Sequence, residues 1–254
     1  MEQNEQVRRQ TGAAWTDLAD ALCQQRQYDE AEAACQAGLV IIKELGDMRS
    51  AAVITGQLGT FAWRQGELAE AAKQYQEALA LWQSMNEPVN EAIAWHNLGL
   101  VYQEAGQREA AEQAYRQAAQ LFEEQGLLGG NASAAGSWQQ LAQICAYTGR
   151  KAEAEQWFRK ALMAFQAVED RPGTARTLGN LASLLANDPA RLDEARSLAE
   201  EGLAIDLTLD PAVAQIWTTY NILARIAEQQ GDESRAAEYH AKAERAFAPY
   251  RGGE

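Results

Sequence analysis

The chain has 254 residues, 47% of them apolar and only five of them proline, and its 22 Lys and Arg against 36 Asp and Glu give a formal charge of −14. That length is near the ceiling for one compact core but is no limit for an array of small units, and a composition rich in Ala, Gln, Glu, Leu and Arg argues for helices over sheets. The acidity argues against nucleic acid as a partner, since phosphate contacts need clustered Lys and Arg; it favours a partner of basic character and also serves solubility.

In chain order, Met1–Gln10 is polar and lacks the apolar stretch of a secretory leader. Cys23, Cys35 and Cys145 are odd in number and widely spaced, so free thiols in a reducing compartment are expected. No apolar run has the length of a membrane span. A cytoplasmic chain without a membrane partner is the expectation.

Breakers and apolar spacing predict twelve helices, over 5–25, 28–45, 48–65, 68–85, 88–105, 108–126, 132–148, 151–168, 171–187, 191–208, 211–230 and 233–248. They group in pairs with a repeat of about 40 residues. A Leu followed by a small residue recurs at Leu18-Ala19, Leu58-Gly59, Leu98-Gly99, Leu141-Ala142, Leu181-Ala182 and Leu223-Ala224. Thirteen residues on stands Ala31, Ala71, Ala111, Ala154 or Ala236, and fourteen on, in the fifth unit, Ala195. Cys35, Tyr75, Tyr115, Phe158 or His240 follows four residues later, with Ala199 in the fifth unit. Between Leu and Ala lies Gly66, Gly106, Gly149 or Gly231, replaced by Gln25-Arg26-Gln27 in the first unit and Asn187-Asp188-Pro189 in the fifth. The Leu is expected to fill the space between paired helices, the small residues to let helices cross closely, and the residue at the Tyr position, His240 included, to pack in the core. One junction is longer, at Leu127-Leu128-Gly129-Gly130-Asn131, and reads as an extended loop or a hinge between two three-pair halves.

The pattern Trp-x-x-Leu-Gly/Ala, then Gly, then Ala-x-x-x-Tyr/Phe-x-x-Ala resembles the tetratricopeptide signature and covers about residues 5–248. Its period is longer than the usual 34 or so. It is similar to long-period arrays in kinesin light chains, Pins/LGN-type adaptors and bacterial regulators such as the MalT and Rap families. The resemblance implies an all-α superhelix, a right-handed solenoid of about six helix–turn–helix repeats in one domain over 1–254, with repeats near 5–47, 48–87, 88–130, 131–170, 171–210 and 211–250.

It also implies a scaffold or adaptor that binds a protein or peptide along a concave face lined by the first helix of each pair. The alternative is the sensor or regulatory part of a bacterial signalling or transcription system, recognising a small peptide or metabolite. On this chain the inward positions are Trp63, Arg64, His96, Asn97, Gln103, Gln139, Gln143, Tyr147, Arg176, Asn180, Asn221 and Arg225. Asn97 and Asn180 begin Asn-Leu-Gly/Ala triplets, and in the long-period families that Asn often bonds peptide backbone; an amide suits this because it both donates and accepts.

Chemistry beyond binding is not expected. His96 and His240 are the two histidines, and no metal-ligand spacing, phosphate loop or dinucleotide fingerprint occurs, so no enzyme activity, cofactor or metal is anticipated. The last helix carries Tyr239 and Phe247 with no long polar cap after it, which makes that end a candidate homodimer surface. If the register is right, Leu98→Ala costs about 2–5 kcal/mol in a denaturant titration; a change within about 0.5 kcal/mol places Leu98 on the surface.

Overall fold

The computed structural model describes residues 2–126, 132–210, 214 and 216–248, apart from the side chains of 2–9, 13, 16 and 20. Among the described residues there are twelve α-helices, one short 3-10 turn and no strand. The chain divides into two compact units, Met1–Gly126 and Leu127–Glu254. The loop or hinge expected at Gly129-Gly130 lies outside the described residues.

The first unit holds α1 (Glu2–Gln24), α2 (Tyr28–Glu44), α3 (Met48–Arg64), α4 (Leu68–Ser84), α5 (Pro88–Glu104) and α6 (Arg108–Glu124). Consecutive helices form the hairpins α1/α2, α3/α4 and α5/α6, and α2/α3 and α4/α5 join one hairpin to the next. The residues at the turns have positive φ: Arg26, Gly46, Gly66, Asn86, Gly106 and Gly126, one every 20 residues. The backbone period of this unit is therefore 20 residues, half the period of its side-chain pattern, because turns within and between hairpins share one geometry. After α3, the Gly66 amide donates to the Trp63 carbonyl and the Glu67 amide to the Ala62 carbonyl, at 3.0 and 2.8 Å. This pair of bonds satisfies carbonyls that the helix end leaves open. Gly enters the left-handed region without a Cβ clash, as at Gly66.

The second unit holds α7 (Ala132–Tyr147), α8 (Lys151–Ala167), α9 (Arg171–Leu185), α10 (Leu192–Asp206), α11 (Ile216–Gln229) and α12 (Glu233–Phe247). Hairpins α7/α8, α9/α10 and α11/α12 pack in sequence, and the first helices touch directly, α7 on α9 and α9 on α11. Gly149, Glu169 and Gly231 take the same left-handed turn. The fifth unit departs from it: Pro189–Arg191 forms the 3-10 turn, and Asp188 accepts from the Ala190 amide at 3.0 Å. Arg191 then reaches back to Glu155 on α8 at 2.6 Å and to Glu194 at 2.7 Å, so an ion-pair cluster holds the turn that lacks Gly.

Two packing expectations need correction. Leu58 and Leu98 share their buried clusters with the second helix of the preceding hairpin, as Leu98 does with Tyr75, Ala78 and Leu79 of α4. The Leu thus seals one hairpin to the one before it as well as filling its own. Leu18, at the equivalent position of α1, is 44% exposed. His240 is exposed on α12, within 2.9 Å of a Glu228 oxygen, and takes no core position. The small residues behave as expected. A Cβ on Gly59 would lie 2.9 Å from the Tyr75 ring, and one on Gly99 would lie 2.5 Å from the Tyr115 ring. Gly occurs after the Leu in the two units that carry Tyr, whereas Ala stands there beside Cys35, Phe158, Ala199 and His240.

Gly99→Ala sets two effects against each other. Ala favours the helix by about 1 kcal/mol over Gly, while forcing a Cβ into a buried ring costs about 1–3 kcal/mol. The contact is well below van der Waals distance, so net destabilisation of about 1–2 kcal/mol is expected in a denaturant titration. Tyr115→Leu in the same chain recovers part of the loss that Gly99→Ala introduces by itself.

Candidate binding faces

The expected residues lie on the first helices of the hairpins, and the structure gathers some of them at cavities while spending others on internal contacts. In the first unit, α3 and α5 border a cavity of about 210 Å³ lined by Val53, Gln57 and Thr60 from α3 and by Asn90, Ile93 and Asn97 from α5. The Tyr75 ring forms part of its wall, and its hydroxyl lies 2.9 Å from Thr60 Oγ1. Thr60 in turn donates to the Gly56 carbonyl at 3.1 Å. Asn97 lines this cavity, and among the described residues its side chain makes no hydrogen bond.

In the second unit, Asn180 on α9 lines two cavities. One, about 240 Å³, lies toward α7 and includes Gln143, Ser183 and Asn187. The other, about 220 Å³, lies toward α11 and includes Pro172, Arg176, Asp206, Thr218 and Ile222. The Asn180 side chain, like that of Asn97, makes no hydrogen bond among the described residues. Arg176 donates to Gln139 Oε1 at 3.2 Å.

The remaining expected residues do not line these cavities. Trp63 is partly buried, packs on the α4/α5 core and donates its indole N–H to Glu104 on α5. Arg64 lies over the Tyr28 ring at 5.5 Å, which occupies its charge within the first unit. Gln103 accepts from the Tyr115 hydroxyl at 3.2 Å. Gln139 is 2% exposed and is spent inside the fold on Arg176. Arg225 of α11 grips α9, donating to the Ser183 carbonyl at 3.0 Å and its hydroxyl at 2.9 Å. Tyr147 is 71% exposed at the end of α7, and Asn221 is exposed on α11.

Reading first helices alone misses Asp206, which closes the α9/α11 cavity from the end of α10. It is 7% exposed, accepts from Thr219 Oγ1 at 3.3 Å, and burial raises its carboxyl pKa above the ordinary value. The available signal was its spacing. Leu192, Ala195, Ala199, Gly202 and Asp206 form the buried stripe of α10, so an acid stands in an apolar register. Among the described residues no three His, Cys, Asp or Glu side chains gather as a metal site requires. No helix among them is long and apolar enough to cross a membrane.

His96 stands with its ring 5.7 Å from that of Tyr115, and burial pushes its pKa down to about 4. The imidazole is therefore neutral in the folded chain at neutral pH. Between about pH 6.5 and 4 the unfolded chain binds a proton at His96 that the folded chain refuses, so this residue removes stability as pH falls through that window. A loss on the order of 2–3 kcal/mol by pH 4 is expected relative to a His96→Gln chain, read from unfolding midpoints of both proteins across pH.

The tetratricopeptide repeat family profiles match residues 50–124 and 132–208, and a second tetratricopeptide repeat profile matches 11–45. No curated protein matches the chain by sequence. Among solved structures, BtubC (BKLC) from P. vanneervenii superposes with TM-score 0.68 at 21% identity, over 98% of this chain and 93% of that one. A signal transduction ATPase with numerous domains from Pyrococcus horikoshii, bearing a tetratricopeptide repeat sensor, superposes with TM-score 0.82 at 19% identity, over 96% of this chain and 37% of that one. Nearly identical repeats of a putative kinesin light chain from Podosopora anserina superpose with TM-score 0.59 at 18% identity, over 78% of this chain and 95% of that one. At these identities the likenesses establish the fold, while the profiles span more than half of the sequence: the chain belongs to the tetratricopeptide repeat family.

Proposed function

We propose that the chain is a non-catalytic scaffold that binds extended peptide segments of a protein partner on the first-helix faces of its two units. One observation carries this reading. Asn97 and Asn180 occupy the same place in the repeat, each lines a cavity on a first helix, and neither side chain has a hydrogen bond among the described residues. Buried polar groups are nearly always paired, and both asparagines are partly buried. An amide left uncommitted beside a cavity is matched to a peptide group, to which it can donate and accept at once. The mixed apolar and polar lining, Val53 and Ile93 beside Gln57 and Thr60, suits backbone recognition with side-chain anchoring. The net charge of −14 favours partners with basic character through long-range attraction.

A second reading is favoured by the superposition of 96% of this chain on 37% of the Pyrococcus horikoshii protein with its tetratricopeptide repeat sensor. In that reading the chain is the sensing part of a regulatory system, and the ligand is a small peptide or metabolite.

The test is affinity selection of a random octapeptide pool by the immobilised full chain, with recovered peptides sequenced by mass spectrometry and their affinities measured by calorimetry. Recovered peptides bind about tenfold more weakly to Asn97→Ala or to Asn180→Ala when the lost amide held a backbone group by two hydrogen bonds. Failure to recover any peptide overturns the scaffold reading. Unchanged affinities in both variants remove the two asparagines from the site.

A further inference from the structure

The second helices carry a position eleven residues after the recurring Ala of each repeat. It is Ile42, Trp82, Phe122, Phe165, Asp206 and Phe247 in the six units. Ile42, Trp82, Phe122 and Phe165 are at most 6% exposed and fill the core of their units. The fifth unit places a carboxylate where its counterparts place a large apolar side chain, and beside that carboxylate is the cavity of about 220 Å³.

Among the described residues no cation offsets this choice. Asp206 is the last residue of α10, where the helix dipole presents its negative end. Its side-chain hydrogen bond from Thr219 is long at 3.3 Å, and among the described residues no ion pair reaches it. Arg176 lines the same cavity, yet its guanidinium is directed to Gln139. A buried charge without a partner is costly, and sites that depart from the packing pattern at such cost are candidate functional sites.

Resting on the peptide-binding reading above, we infer that the α9/α10/α11 cavity is a specificity pocket that takes the side chain of a Lys or Arg from the bound peptide, with Asp206 as its counter-charge. The chemistry of the walls fits that side chain. Pro172, Ala175 and Ile222 offer apolar surface to its methylene stem, and the carboxylate stands ready for its charged tip. Asn180, on the rim of the same cavity, is placed to hold the adjoining backbone. The volume is below the roughly 300–1,000 Å³ of small-molecule pockets, which suits one side chain better than a whole metabolite.

The octapeptide selection tests this when run on the wild-type chain, Asp206→Asn and Asp206→Phe. Asp206→Asn keeps the shape and removes the charge. Asp206→Phe restores the side chain of the other units, is expected to raise the melting temperature, and fills the pocket. Wild-type peptides should be enriched in Lys or Arg at one fixed position. Those peptides should bind at least about tenfold more weakly to either variant, because a charge-assisted contact is lost. L-argininamide titrated alone, followed by NMR, separates a peptide side chain from a free small cation. Tight Asp206-dependent binding of argininamide without enrichment among peptides overturns the proposal in favour of a small-molecule site. Peptides recovered without Lys or Arg enrichment overturn it while leaving the scaffold reading intact, and recovery of no peptide overturns both. Wild-type enrichment is readable even if a variant fails to fold.

Discussion

The structure depends on a left-handed residue placed just beyond a helix end. Within each compact unit such a residue turns the chain back on itself, and its own amide and the next return two protons to the carbonyls that the helix leaves open. In the first unit it recurs at Arg26, Gly46, Gly66, Asn86, Gly106 and Gly126, so helices α2 to α6 all have 17 residues and the hairpins stay in register. Gly supplies the conformation cheaply at four of these turns. Arg26 and Asn86 adopt it at a steric cost of order 1–2 kcal/mol, which the packed helices on either side impose. Where the second unit abandons the turn, at Asp188-Pro189, a capping carboxylate and the Arg191 ion pairs take over its work.

Equal helix lengths bring equivalent side chains to equivalent heights, and this is what makes small residues valuable. Gly59 and Gly99 let the Tyr75 and Tyr115 rings lie against backbone, and the Tyr75 ring shares a buried cluster with Leu98 of the next hairpin. Large apolar residues at the ends of the second helices, such as Trp82 and Phe122, close each layer. Against so regular a pattern a single exception carries information. Asp206 breaks the layer in the fifth unit and leaves a charged cavity where a ring would otherwise stand. The first-helix faces show the complementary behaviour. Most of their polar side chains are spent on holding neighbouring helices together, as Arg225 holds Ser183, whereas those of Asn97 and Asn180 make no hydrogen bond among the described residues.

The fold was largely legible in the sequence because helix ends are written locally. A Gly or Asn at the turn, a Pro at a helix start and a spaced run of Ala and Leu each act within a few residues. The candidate site was legible only in part. The Asn-Leu-Gly/Ala triplets marked Asn97 and Asn180, but the same inward positions also marked Gln139, Trp63 and Arg225, whose side chains turn out to be committed within the fold. Spacing reports which face of a helix a residue occupies, and not whether a partner on the next helix already takes its hydrogen bonds. Leu18 and His240 illustrate the same limit: both fit the repeat, and both are exposed.

The sequence by itself determined the helical class, the pairing of helices, the repeat family and the absence of the usual catalytic and metal-binding motifs, since these rest on local propensity and on residue types at fixed spacing. The tertiary structure alone decided which polar side chains remain uncommitted among the described residues, that in the first unit turns within and between hairpins are the same turn, and that the acid at the end of α10 borders a cavity. Those facts depend on side chains far apart in the chain meeting across helices, and no local pattern records such meetings.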